Sequence, residues 1–205
     1  MHAAPCRRRL GPGGISHPVA GLLLTAALCL GLTTTPARAQ NEILQKEREK
    51  GDIETAGDIL RAVIPLAGFG ATLLHEDGND GSVQFILSYA VTQGVTHGLK
   101  GAIDKRRPNG DCCDAFPSGH TSTAFMGAAF IQRRYGWAYG LPAYLGAGFV
   151  GYSRIEADKH DAADVLMGAA VGILGSFAFT TPYPGVTVTP QADGRIVGIR
   201  LSARW

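Results

Sequence analysis

Three short blocks carry the residues of this chain best suited to handling an anion. They are Lys100-x6-Arg107-Pro108, then Pro117-Ser118-Gly119-His120, then Ser153-Arg154-x5-His160-x3-Asp164, all within 65 residues. Together they offer three fixed cations, a Ser-Gly step that can open a helix, two histidines and a carboxylate. That inventory can hold a phosphoryl group and pass it to a histidine.

Each block also has a bland reading. Lys100 and Arg107 are seven residues apart, about two turns if one helix runs through both, and Pro108 would close that helix. A guanidinium grips two phosphate oxygens and a lysine acts as a point charge. Taken alone, though, the block is an ordinary basic helix flank. Ser118 can cap the helix that starts at His120, and Gly119 allows an anion close to the first N–H groups. There His120 could give a proton to a leaving oxygen, or simply be exposed. His160 and Asp164, at i and i+4, would share a helix face. A carboxylate on one ring nitrogen fixes the tautomer and frees the other nitrogen to attack, but a structural His–Asp pair has the same spacing.

Helices must position these blocks. Five apolar segments follow residue 58: Ile59–Leu74, Val83–Leu99, Thr121–Ile131, Trp137–Tyr152 and Ala162–Thr180. Strict alternation is absent and turn or charge signals separate them, which predicts helices rather than strands. Gly94-x3-Gly98 and Gly168-x3-Gly172 place small residues on single helix faces and predict close helix packing. Residues 182–205 differ. Alternation around Asp193-Gly194 predicts a β-hairpin. The fold class is therefore all-α, a bundle of about five core helices after a signal segment, with a short hairpin tail.

The N-terminus reads as an export signal. Arg7, Arg8 and Arg9 precede an apolar stretch and Ala37-Arg38-Ala39, so residues 1–39 form a signal peptide, with an uncleaved anchor as the alternative. Residues 40–58 are a polar lead-in, either a short amphipathic helix or solvated chain, and residues 59–181 hold the bundle. Net charge is +2, but residues 1–39 hold four Arg and no acid, leaving the remainder at −2. No nucleic-acid partner is expected from that balance. Cys112 and Cys113 sit in a polar loop, where neither a strained bridge between neighbours nor a zinc site is favoured over two thiols or an intermolecular bridge.

Whether the helices cross a bilayer is open at this level. Several segments fall short of the ~20 apolar residues that spanning requires, and mean hydropathy is only slightly positive. With residue 40 outside and five alternating spans, all three blocks emerge on the outer face. The Arg133-Arg134 turn then lies inside, as the positive-inside rule prefers.

In order and spacing, the three blocks resemble the type 2 phosphatidic acid phosphatase superfamily, whose signature they match at every position. The resemblance implies a helical bundle that hydrolyses a phosphomonoester or pyrophosphate without metal or other cofactor. It implies His160 as nucleophile, Asp164 orienting it and His120 as general acid. Lys100, Arg107, Ser118, Gly119 and Arg154 would bind the phosphoryl oxygens. The expected substrate is a phosphorylated lipid or a small phosphoester. Placement in the inner membrane with the site facing the periplasm is expected, and a soluble periplasmic acid phosphatase is the alternative. A vanadium haloperoxidase would hold vanadate in a similar site, but the mature chain is short for one. A non-catalytic phospholipid-binding protein would not need the His160, Asp164 and His120 set. The oligomeric state is not legible.

Overall fold

The structure is a computed structural model that describes residues 37–111, 113–183, 186–192 and 197–203, with side chains from 41 to 183 apart from residue 112. The expected signal segment lies outside the described residues except for its last three positions. The chain divides into two compact units, Met1–Glu49 and Lys50–Trp205. Of the first, the start of helix α1 is described. The second carries everything that follows.

Among the described residues there are five helices: α1 Ala37–His75, α2 Asp80–Ala102, α3 Gly119–Tyr135, α4 Trp137–Glu156 and α5 Ala162–Phe177. The five apolar segments fall on them in order. The lead-in does not break off as a separate element, because α1 runs unbroken through residues 40–58 into the apolar part. Two strands, β1 Val186–Ala192 and β2 Val197–Ala203, pair antiparallel with Val186 opposite Ala203. The turn expected at Asp193-Gly194 lies outside the described residues.

Helix α3 is the axis of the bundle. About half of its residues are small or hydroxylated, and Thr121, Ala124, Ala128, Ala129 and Phe130 are among those buried. One apolar cluster joins Ile64, Ala124, Ala128, Ile131, Ala147 and Val150 across α1, α3 and α4. Another joins Phe85, Met126 and Phe130 across α2 and α3. Hydroxyl contacts supplement them, as where Thr96 donates to Ser122 at 3.0 Å.

The two glycine faces have different fates. A methyl at Gly168 would meet Ser118 O, and one at Gly172 would meet Ser122 O, so α5 lies directly on the α3 backbone. Gly94 and Gly98 face open space, and the close packing expected there is absent. Spacing fixes a face of a helix but not what that face meets.

Two further expectations are corrected. Helix α2 ends at Ala102, because Ile103 turns extended and Lys105 bridges to Asp114. Arg107 is therefore in the following loop, not on a helix with Lys100, and Pro108 closes nothing. Helix α5 starts at Ala162 with Asp161 as its cap, so His160 precedes the helix and shares no helical face with Asp164.

The end away from the blocks is closed by a buried ion pair. Arg134 and Glu76 pair with side chains 3 % and 2 % exposed. Tyr135 donates to Glu76 at 2.6 Å, and Arg134 donates to Thr181 O at 3.0 Å. The Arg133-Arg134 turn thus lies beside the acidic HEDGNDG turn, as five alternating helices require. Arg134, however, is an internal ion-pair partner and not a free basic flank. Cys113 is in a disulfide whose partner lies outside the described residues.

Candidate active site

The three blocks meet at one end of the bundle. Ser118 caps α3, its hydroxyl accepting from Thr121 Oγ1 at 3.0 Å and from Thr121 N at 3.5 Å. The cap is locked to the third block, since Ser118 N donates to Asp164 O at 2.9 Å. Gly119 opens α3 beside the second block's partner helix: a methyl there would lie 3.8 Å from Lys100 Cε and Thr96 Cγ2. The first-turn N–H groups of α3 thus face the last turn of α2. Lys100 donates to Asp114 O, and Arg107 Nε donates to Asp114 Oδ1 at 3.1 Å. The loop between α2 and α3 thereby holds both cations of the first block.

His160 is 4 % exposed and its Nδ1 makes no hydrogen bond. Burial, then the charges of Lys100 and Arg107, hold its imidazole down at about 4 from the usual 6.5, against the opposing pull of the Ala115 backbone and Asp164. It is neutral at ordinary pH, the form that can attack phosphorus. Asp164 Oδ2 is 3.7 Å from Nδ1, too far for the expected hydrogen bond. The carboxylate is instead used locally: Oδ2 accepts from Asp161 N at 3.1 Å and Oδ1 accepts from Lys105 at 2.7 Å. Burial lowers the Lys105 ammonium, but the Asp161 and Asp164 carboxylates outweigh it and the net shift is upward.

Arg154 is 1 % exposed and is gripped by α1. Its Nη1 donates to Asp58 Oδ1 at 2.9 Å and its Nη2 donates to Glu54 O at 2.7 Å. Gly57 makes this possible, because a methyl there would collide with Ser153 and approach Arg154 Nη2. His120 lies on the same helix's other charges. Its Nε2 is 3.0 Å from Asp58 Oδ1 and 3.1 Å from Arg61 Nη1. One nitrogen cannot serve both at once. Neutral, it accepts from Arg61; protonated, it donates to Asp58.

Every residue singled out from sequence is therefore at this end: Lys100, Arg107, Ser118, Gly119, His120, Arg154, His160 and Asp164. Sequence reasoning missed Asp58 and Arg61, and also Lys105, Asp114 and Asp161. The available signal for the first two was Asp58-x-x-Arg61, an i,i+3 charge pair at the edge of an apolar helix.

A helical bundle that brings two histidines and three cations to one end is an arrangement suited to binding an anion. Comparison with known proteins gives the family. The PAP2 superfamily model matches residues 81–185. A lipid A 4'-phosphatase of Helicobacter pylori is 32% identical over 172 residues, 75% of this chain and 85% of that protein. A lipid A 1-phosphatase of Porphyromonas gingivalis is 38% identical over 119 residues, 56% of this chain, which spans only 26% of that longer protein. Among solved structures, Aquifex aeolicus LpxE superposes with a TM-score of 0.53 at 20% identity, covering 63% of this chain and 83% of that one. The PAP2-type phosphatidylglycerolphosphate phosphatase of Bacillus subtilis gives 0.50 at 21% identity, covering 71% and 85%. These two share the fold. The chain belongs to the PAP2 superfamily and is a phosphatase of that family.

Proposed function

We propose that this chain is a metal-independent lipid phosphatase of the bacterial envelope, working through a phosphohistidine on His160. The observation that carries this reading is the meeting of two histidines from separate blocks with Lys100, Arg107 and Arg154 at one end of the bundle. Phosphoryl transfer needs little beyond positioning and charge, and three cations supply the charge.

In the first step the His160 nitrogen facing away from Asp164 attacks phosphorus and the bond to the leaving oxygen breaks. His120 gives that oxygen its proton. In the second step water, giving a proton to His120, attacks phosphorus, and the phosphorus–nitrogen bond breaks, which releases phosphate and restores His160. Lys100, Arg107, Arg154, the Ser118 cap and the Gly119 N–H hold the phosphoryl oxygens. Asp164 steadies the imidazolium charge that develops on His160.

A lipid substrate is supported by the outer surface. Ile59, Leu66, Ile86, Leu145, Leu166 and Leu174 are each more than half exposed, on four different helices. Extensive exposed apolar surface marks a membrane or partner face. Helix α1 is long and apolar enough to cross a membrane over Asn41–His75. This favours a bundle set in the inner membrane with the blocks on the periplasmic side over the soluble alternative. Among lipid phosphates, those of lipid A are favoured, because the curated relatives above are both lipid A phosphatases.

The test is phosphate release by detergent-purified protein from lipid A, phosphatidic acid, an isoprenyl pyrophosphate and a soluble aryl phosphate, with EDTA present. Release from the lipids and trapping of an acid-labile phosphoenzyme, both lost in His160→Ala, are expected. Strict dependence on added magnesium or zinc would overturn the mechanism.

A further inference from the structure

A groove of about 510 Å³ leads away from His120 between α1 and α2. Its mouth is charged, formed by Asp58 and Arg61, the two side chains that touch His120 Nε2. Beyond them its walls are Ala62, Pro65, Leu66, Phe69, Phe85 and Tyr89, with Thr123 of α3 on the third side. Phe69 and Phe85 meet at 5.1 Å between ring centroids, and Tyr89 stacks on Phe85 at 6.5 Å. On α2, Tyr89 precedes Lys100 by eleven residues, or about 16 Å along the axis.

Resting on the reading of this site as a lipid phosphatase, we infer that the α1–α2 groove holds an acyl chain of the lipid phosphate, with Arg61 at the boundary between chain and head group. The sequence of chemistries along the groove is that of such a molecule. An anion site comes first, then one exposed guanidinium that makes no ion pair with a carboxylate among the described residues, then an aromatic channel. Its continuity with the site sets this groove apart. A second cleft, of about 590 Å³, lies among α1, α3 and α4, but its arginine is Arg134, already balanced by Glu76, and neither Asp58 nor Arg61 lines it.

The test reads occupancy rather than turnover. The full chain carries His160→Ala to stop hydrolysis and Trp137→Phe with Trp205→Phe to clear the background. A single tryptophan is then placed by Tyr89→Trp, or by Leu145→Trp on the outward face of α4. Each protein is reconstituted in phosphatidylcholine bilayers and titrated with phosphatidic acid brominated on its acyl chains, or with equally brominated phosphatidylcholine. At position 89, half-quenching is expected at an about tenfold lower fraction of the phosphate lipid, the scale of one charge-assisted hydrogen bond. At position 145 the two lipids should quench alike. Ala62→Phe, which narrows the groove below its mouth, should abolish the preference at position 89.

Equal quenching by both lipids at position 89 would overturn the inference, and so would a preference that survives Ala62→Phe. If the unmodified chain released no phosphate from any lipid while the preference at position 89 remained, the phosphatase reading would fall and the groove would stand.

Discussion

Asp58 Oδ1 lies 3.0 Å from His120 Nε2, and the same oxygen accepts from Arg154 Nη1 at 2.9 Å. One carboxylate oxygen of α1 therefore ties the histidine of the second block to the arginine of the third. The arrangement makes Asp58 a positioning residue. It holds Arg154 in place and offers an acceptor to His120 whenever that ring is protonated.

Asp58→Ala is expected to lower kcat by about 10- to 100-fold on a lipid monophosphate, whose alkoxide leaving group needs a proton. An activated aryl phosphate should lose much less. Asp58→Asn keeps an acceptor for Arg154 without the charge and should fall between. Steady-state kinetics on the two substrates checks this. An equal loss on both would show that Asp58 only supports Arg154.

On the proposed mechanism the acid limb of kcat/KM should lie near 4 rather than near the 6.5 of free imidazole, because burial and then Lys100 hold the His160 imidazole neutral. The sign is set by the nucleophile: activity is present above the folded pKa and is lost as pH falls through it. Lys100→Met removes one of the charges that opposes the imidazolium, so the limb should move upward in pH while overall kcat/KM drops. A pH profile with a soluble aryl phosphate separates the two effects. A limb unmoved in Lys100→Met would mean that the lysine charge does not reach His160.

The two small-residue faces should respond oppositely to the same substitution. Gly172→Ala sets a methyl against Ser122 O and is expected to destabilise by about 1–3 kcal/mol, with a lower Tm in detergent. Gly94→Ala faces open space and should be neutral or stabilising by up to about 1 kcal/mol through helix propensity. The reverse order would contradict the placement of α5 on α3.

The blocks were legible because their chemistry is local in sequence, with cations, cap and histidines at fixed spacing. The geometry between them was less so. The i,i+4 spacing of His160 and Asp164 suggested a helical pair, but a cap at Asp161 intervened and drew the Asp164 carboxylate into local hydrogen bonds. Lys100 and Arg107 looked two turns apart on a helix that in fact ends between them. Asp58 and Arg61 were invisible for another reason. The change from polar to apolar composition falls between them, so they sat on either side of an expected element boundary, whereas α1 passes through it. Apolar periodicity reports which segments are helical. It cannot report that a charge in one helix waits for a charge a hundred residues away.

That distance has a consequence for how the enzyme is made. Asp58 and Glu54 leave the ribosome long before Arg154, their partner 96 and 100 residues further on. Until α1 and α4 meet, a guanidinium that ends up 1 % exposed has no acceptor from α1. Leaving such a charge buried and unpaired is strongly unfavourable. On the proposed mechanism, activity is thereby tied to completion of assembly, since a chain with every motif in place but α1 undocked carries an unfinished centre. A fragment cut to the family's matched stretch, residues 81–185, would possess the whole signature and lack the helix that completes it.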